Sequence, residues 1–134
     1  KPGNNLIWRE MKDIFKISPD EKRAEALKNR AKERLADIKD NLKPYKLIEE
    51  YYEVIKEIIT SIMYKRGYKT LSHVGLIEFA SKEIKELSKK DIMLIDELRI
   101  KRNRIMYYGE GVTSEFVKNR EKSIRKIIHL LLKV

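Results

Sequence analysis

The sequence predicts an all-α protein, an antiparallel up-and-down bundle of four to five helices. Apolar residues recur at steps of three and four along most of the chain, which is the period of an amphipathic helix. Glycine and proline number only five and three among 134 residues, and capping or stop residues separate the apolar segments. With 42% apolar and 39% charged residues, the chain suits helices with charged outer faces.

The first 17 residues predict a short helix ahead of the bundle. Their apolar side chains lie at helical spacing, and they are Leu6, Ile7, Met11, Ile14 and Phe15. Trp8 is the only tryptophan and is expected to pack this helix. We therefore divide the chain into an N-terminal helical extension, residues 1–17, and a helical-bundle domain, residues 18–134.

The first helix of the bundle has a well-marked predicted start. Ser18 can cap it, Pro19 suits its first position, and Glu21 completes a capping box. An amphipathic stripe follows, formed by Ala24, Leu27, Ala31, Leu35, Ile38 and Leu42. Pro44 is expected to end this helix, because proline cannot continue a helix interior.

The second helix is predicted from about Tyr45 to Arg66, with Gly67 as its C-terminal stop. Its apolar residues cover more than one face: Ile48, Tyr51, Tyr52, Val54, Ile55, Ile58, Ile59, Ile62 and Met63. Isoleucine and valine also favour strands, but this segment is too long for a strand. A helix with so little polar circumference is expected in the middle of the bundle.

Three more helices are predicted, each behind a polar capping residue. The expected caps are Thr70 or Ser72, then the segment from Ser88 to Asp91, and finally Thr113 or Ser114. The third helix should end near Leu87, and Gly109 with Gly111 should break the fourth. Short connections between these segments favour antiparallel neighbours.

Composition excludes several kinds of site. The chain has no cysteine, and its two histidines, His73 and His129, lie too far apart in sequence to indicate a ligand pair. No carboxylate cluster indicates a metal, so we expect neither metal nor cofactor. No apolar run approaches the roughly 20 residues of a membrane span, and no signal peptide is evident. We expect a cytoplasmic protein without membrane contact.

Positive charge is concentrated near the end of the chain. The net charge is +10, and the segment from Arg99 onwards has ten Lys and Arg against three Glu. This excess indicates an anionic partner, most commonly nucleic acid. A solvated lysine-rich surface is the alternative that composition leaves open.

The stretch "LRIKRNRIMYYGEG", residues 98–111, is the candidate site. Residues three and four apart share a helix face, which groups Arg99, Arg102, Asn103, Met106 and Tyr107. A guanidinium fork binds two phosphate oxygens at once, asparagine can donate from its amide, and tyrosine can stack on a base. The alternative is an ordinary solvated helix end, where cations are also favoured.

Over roughly residues 18–131 the sequence resembles the HEPN family of helical-bundle proteins. The resemblance lies in three stretches: "YYEVIKEIITSIMYKRGYK", "SHVGLIEF" and "LRIKRNRIMYYG", the last similar to the helix with the family's Arg-Asn-x-x-x-His motif. The family implies metal-independent RNA cleavage in a cleft between two protomers. It also implies a toxin–antitoxin or defence role, in many members beside a small nucleotidyltransferase.

Carried over by position, Arg102 and Asn103 match the motif, and Tyr107 stands where the family has histidine. The resemblance therefore implies a catalytic set of Arg102, Asn103 and Tyr107. From the residue types of the stretch itself, RNA or phosphate binding is expected through Arg99, Arg102, Arg104 and Tyr108. Tyrosine ordinarily titrates near pH 10, so it is a poorer general base at neutral pH than histidine, and we expect weakened catalysis.

Other aromatic and histidine positions are expected to be structural. His73 should pack or cap the third helix, and His129 should be half-buried in the last one. Tyr51 and Tyr52 should be mainly core residues. Some members of the family also carry a tyrosine that the nucleotidyltransferase modifies with AMP, but its position here is Gly109.

Two functions follow as expectations. The first is a homodimeric, HEPN-like protein that binds RNA or another phosphate ligand, with ribonuclease activity weakened by Tyr107. The second is a non-catalytic interaction subunit that docks a small nucleotidyltransferase. The sequence leaves open whether the protein is an enzyme. DNA binding is a more distant third, because no short helix-turn-helix pair is evident.

Overall fold

The computed structural model describes residues 13–134 as five helices and a two-stranded sheet, which confirms the predicted all-α bundle. In chain order the elements are β1 (Ile14–Lys16), α1 (Glu21–Ala36), α2 (Pro44–Arg66), β2 (Tyr68–Thr70), α3 (His73–Glu83), α4 (Lys89–Tyr108) and α5 (Ser114–Leu132). Within residues 13–134, none of the helices combines the length and the apolar character that crossing a bilayer requires.

The segment before the bundle differs from its prediction. Ile14 and Phe15 belong to a strand instead of a helix, and they pair antiparallel with Thr70 and Lys69 of β2. A partner strand decides this, because isoleucine and phenylalanine fit a pleated surface well once its backbone groups can be paired. The remainder of the predicted extension, including Trp8, lies outside the described residues.

Helix α1 starts later and ends earlier than predicted. Asp20 is the cap in place of Ser18, and its carboxylate accepts a hydrogen bond from the Arg23 backbone N–H at 3.0 Å. The helix ends at Ala36, well before Leu42. Leu42 lies in the turn after the helix and still packs against the core. Its apolar character therefore reflects burial and not a longer helix.

Helix α2 lies at the centre of the bundle, as its apolar circumference predicts. Helices α1, α4 and α5 all pack against it, and its buried side chains dominate the core. Burying each large aliphatic side chain contributes about 1.5–3 kcal/mol. Among residues 13–134 the one buried carboxylate is that of Glu57, which accepts a hydrogen bond from Nε of Arg34 at 3.1 Å, and this bond offsets its desolvation.

The remaining caps confirm the predicted starts. Ser72, Ser88 and Thr113 cap α3, α4 and α5, and Ser88 forms a reciprocal capping box with Asp91. Helix α3 stops at Glu83, short of the predicted Leu87. The apolar residues of that last stretch, Ile84 and Leu87, are buried from a turn.

Gly67 is a position where the fold requires glycine. It ends α2 with φ of +85°, and a Cβ there would lie 2.8 Å from the Ile17 carbonyl oxygen. We expect Gly67→Ala to lower the free energy of unfolding by more than about 2 kcal/mol. The left-handed backbone alone costs roughly 1–2 kcal/mol for an L-residue, and the clash adds to it. Urea unfolding followed by circular dichroism measures this loss.

Two other glycines provide matched controls. Gly109 also has a positive φ, of +63°, but no atom would approach its Cβ within 4 Å, so Gly109→Ala should cost about 1 kcal/mol. Gly111 has an open environment and no positive φ, so Gly111→Ala should change stability by less than about 0.5 kcal/mol. Equal losses in all three variants would contradict the role assigned to the Ile17 carbonyl.

Candidate phosphate-binding site

Arg102 lies on the inner side of α4, near the C-terminal end of the helix. It follows buried Ile95 by seven residues and buried Leu98 by four, so it faces the same way as both. Its guanidinium carbon is 5.8 Å from the centre of the Tyr52 ring on α2. This position makes Arg102 a half-buried cation at the edge of the core.

The guanidinium of Arg102 has no carboxylate partner among residues 13–134. Its one hydrogen bond runs from Nη1 to the side-chain oxygen of Asn103 at 3.2 Å. Neighbouring cations are paired: Arg99 binds Asp96 at 2.8 Å, and Lys101 binds Glu110 at 2.5 Å. The charge of Arg102 is therefore the one in this stretch that is both half-buried and available to an anion.

Tyr52 and His73 complete the inner part of the site. The Tyr52 hydroxyl is 2.8 Å from Nδ1 of His73, and the two ring centres are 5.6 Å apart. His73 is in reach because Ser72 caps α3, which makes the imidazole the first helical side chain. Three helices, α2, α3 and α4, thus bring Tyr52, His73 and Arg102 to one end of the bundle.

The protonation states follow from burial and charge. Burial raises the pKa of Tyr52 to about 12, against the opposing effect of Arg102 and Arg99. Burial, together with the charges of Arg102 and Lys56, lowers the pKa of His73 from its ordinary value, which favours the neutral imidazole. In the tautomer protonated at Nε2, the Tyr52 hydroxyl donates to Nδ1 and the Nε2–H is free to donate to a ligand. The site presents donors, which suits an anion.

A cleft of about 350 Å³ opens beside His73. Its lining is rich in cations and hydroxyl groups and includes Arg30, Lys56, Thr60, Thr70 and Ser72. Lys56 is held by Glu53 at 2.5 Å, whereas Arg30 is exposed on α1. The polar environment of His73 therefore continues from the bundle end towards α1.

The predicted site residues divide between two surfaces. Arg99, Arg102 and Asn103 lie around the inner cluster with Tyr52 and His73. Arg104 is exposed, and Tyr107 and Tyr108 are 69% and 84% exposed. Within residues 13–134 no hydrogen bond joins Tyr107 to Arg102. In a single chain the predicted catalytic set is thus not assembled into one site.

Two residues that the sequence places in structural roles contribute to the inner cluster. Tyr52 is a core residue, as expected, and His73 follows a capping serine, as expected, but each also contacts the other beside Arg102. Local sequence does not predict this contact, because Tyr52 and His73 lie 21 positions apart in the chain. His129 is exposed instead of half-buried, and no group of metal ligands occurs within residues 13–134.

Comparison with protein-family models, with curated proteins and with solved structures finds no match. The resemblance to the HEPN family therefore stays a prediction from the sequence. The geometry around Arg102 is independent of that resemblance, because it follows from burial, distances and charge alone.

The electrostatic link between Arg102 and His73 is testable. We expect Arg102→Gln to raise the pKa of His73 towards its ordinary value, because a nearby positive charge disfavours the imidazolium. Burial persists in the variant, so the pKa of His73 stays below 6.5. An NMR titration of the imidazole C–H signals, assigned with His73→Gln, measures the change.

Arg104→Gln is the matched control, since it removes the same charge from the exposed side of α4. It should leave the His73 titration where it is in the unmodified protein. An identical shift in both variants would mean that Arg102 has no specific position next to His73.

Proposed function

We propose that this protein is a HEPN-like, cytoplasmic RNA-binding protein whose phosphate site is centred on Arg102. The observation that carries the proposal is the half-buried guanidinium that no carboxylate neutralises within the described chain. Keeping such a charge partly desolvated is costly unless an anion binds it. A phosphate group offers two oxygens to the guanidinium fork and offsets that cost.

The surroundings of Arg102 favour an extended anion over a small one. Arg104 is exposed on the other side of α4, and seven of the ten excess positive charges lie between Arg99 and the C-terminus. Tyr108, which is 84% exposed, supplies a ring on which an unpaired base can stack. Cations and exposed aromatic side chains together are typical of surfaces that bind single-stranded RNA.

Pairing of two copies is part of the proposal. Met93, Ile100 and Tyr107 recur at intervals of seven on the outer side of α4, and all three are exposed. A two-fold axis along this stripe would bury it against its equivalent in a second copy. The pairing would place the two α4 helices side by side, with Tyr107 of each copy in the contact, and each copy would keep its own Arg102 site on the opposite side of α4.

Cleavage, in this proposal, is slow and independent of metal. Attack of the RNA 2′-oxygen on the phosphorus forms a cyclic phosphate and breaks the bond to the 5′-oxygen. The step needs an acceptor for the 2′-hydroxyl proton and a proton donor, such as water, for the leaving 5′-oxygen, and a tyrosine hydroxyl is a poor acceptor at neutral pH. Arg102 would stabilise the charge that develops on the phosphate, which is the larger electrostatic contribution. His73, whose lowered pKa favours the neutral imidazole, would donate to the anion from Nε2 in the tautomer where Nδ1 accepts from Tyr52.

The Arg102 site is tested by RNA binding and cleavage. We expect Arg102→Ala to weaken binding of a short single-stranded RNA about tenfold to a hundredfold, as loss of a charged hydrogen-bond pair does. The slope of the logarithm of the association constant against the logarithm of the salt concentration should become less steep by about 0.7, the value for one phosphate contact. Any cleavage, followed on a labelled RNA with EDTA present, should fall with it.

Arg23→Ala is the control, because the Arg23 guanidinium also lies over a tyrosine ring of α2, 4.9 Å from the centre of Tyr64, but at a different part of the bundle. It should bind and cleave like the unmodified protein. Arg102→Lys keeps the charge but loses the fork, so it should recover only part of the affinity. If Arg102→Ala matches the unmodified protein throughout, the proposed site is wrong.

An interaction subunit is the second candidate function. The exposed stripe on α4 favours it as well, since Met106 and Tyr108 widen the apolar surface towards the helix end. Under this alternative the stripe docks a small nucleotidyltransferase in place of a second copy. Co-purification with such a protein, encoded by a neighbouring gene, would support it.

The oligomeric state separates these candidates. We expect sedimentation equilibrium to give a dimer for the unmodified protein and a monomer for Ile100→Glu, because a carboxylate at the centre of the stripe would be buried without a partner. Val74→Glu places the same charge on an exposed apolar residue of α3 and should remain a dimer. A monomeric unmodified protein at high concentration would contradict the pairing.

A further inference from the structure

The outer face of α5 has a row of lysines with one histidine among them. At steps of three and four along the helix, and all exposed, these are Lys118, Lys122, Lys126, His129 and Lys133. Residues at such steps lie on one side of a helix. The opposite side of α5 is buried in the core through Ile124, Ile128 and neighbouring residues. We call the four lysines the α5 lysine row.

The α5 lysine row is not neutralised within the described chain. None of its lysines forms an ion pair among residues 13–134, whereas Arg120 on the same helix binds both carboxylate oxygens of Glu97, at 2.9 and 3.0 Å. Glu121 points the other way and accepts a hydrogen bond from the Tyr51 hydroxyl. Mutual repulsion of unpaired lysines is unfavourable, and a bound polyanion would relieve it.

The length of the row suits a nucleic-acid strand. From Lys118 to Lys133 the helix rises about 22 Å, at 1.5 Å per residue. One strand of duplex DNA carries a phosphate about every 3.4 Å along the axis, and phosphates are further apart in an extended single strand, so the row is several phosphates long. Successive lysines can therefore contact successive parts of one backbone without any bend in the protein.

A groove runs beside the α5 lysine row. It lies between α4 and α5, has a volume of about 600 Å³, and includes Lys126 in its lining. Asn119 and Ser123 provide hydrogen-bonding groups along its α5 wall, and Leu94 provides an apolar side chain from α4. Such groups can hydrogen-bond to base edges and make apolar contacts with bases.

The carboxylates in this groove are already engaged. Glu97 is bound by Arg120, and Asp91 accepts a hydrogen bond from the Ser88 backbone N–H at 3.0 Å in the capping box. The stacked position of Arg120, 3.7 Å from the centre of the Phe116 ring, keeps the first pair in place. The groove therefore keeps cations and neutral donors facing a ligand.

We infer that α5 and this groove form a second binding surface, for an extended single strand of RNA. The α5 lysine row contacts the sugar–phosphate backbone, and unpaired bases enter the groove between α4 and α5. This inference rests on the proposed function, that the protein binds RNA, and adds the surface that determines the length of strand bound. A membrane is disfavoured, because the apolar face of α5 is buried and cannot insert among lipids.

The test uses the full chain and a single-stranded RNA of about 12 nucleotides, within the usual range of single-strand sites. The variant is Lys118→Gln with Lys122→Gln and Lys126→Gln. Loss of three phosphate contacts should make the slope of log association constant against log salt concentration less steep by about 2, at about 0.7 per phosphate. Binding at 0.1 M salt should weaken about a hundredfold. Fluorescence anisotropy across salt concentrations measures both.

The control removes three exposed lysines elsewhere, by Lys22→Gln, Lys32→Gln and Lys39→Gln. The net charge of the two triple variants is the same, so a general charge effect would act equally on both. Circular dichroism should show both to be folded, since the substituted side chains are exposed. Equal salt slopes in the two triple variants would overturn the inference.

The outcomes separate this inference from the proposed function. If Arg102→Ala loses binding or cleavage while the α5 variant matches the unmodified protein, the α5 surface is excluded and the Arg102 site stands. If Arg102→Ala has no effect while the α5 variant loses affinity and slope, the Arg102 site is excluded and the α5 surface stands. A shorter RNA of about four nucleotides should be insensitive to the α5 variant.

Two further ligands test the chemistry. Duplex RNA of the same length should bind more weakly than the single strand, because paired bases cannot enter the groove; equal affinity would contradict the role given to the groove. Vesicles containing phosphatidylserine should not bind at 0.1 M salt. Vesicle binding that the α5 variant alone abolishes, with unchanged RNA binding, would overturn the inference in favour of a lipid surface.

Discussion

Burial of α2 is the constraint on which the rest of the structure depends. This helix is apolar around most of its circumference, and it would aggregate if one side were left open to water. Helices α1, α4 and α5 cover it together, and each has one apolar stripe turned inwards. Their outer faces are consequently free to vary in charge, and the concentration of lysine and arginine near the C-terminus lies on two of those covering helices.

The adjacent tyrosines at the start of the α2 core show how this burial positions polar groups. Tyr51 turns to α5, where its hydroxyl donates to Glu121 and Arg125 lies 5.5 Å from its ring centre. Tyr52 turns to α3 and α4, where it contacts His73 and Arg102. Burial raises the pKa of both phenols, so both remain donors at neutral pH.

The cations of α4 and α5 differ in what surrounds them, and that difference is informative about function. Arg99, Lys101 and Arg120 are bound by carboxylates, so their charges are already compensated within the protein. Arg102 and the α5 lysine row have no such partners within the described chain. A surface pair contributes little to stability, so the unpaired positions are where binding of an anion would gain the most.

The sequence by itself determined the helical class, the central place of α2 and most helix starts, because apolar periodicity and capping chemistry act over a few residues. It misassigned Ile14 and Phe15, since a strand pairing with residues more than fifty positions away overrides local spacing. It singled out Arg102 and Asn103, but the convergence of Tyr52 and His73 on Arg102 was decided by tertiary structure. Three helices must pack around one core before those side chains meet, and no local pattern encodes that distance.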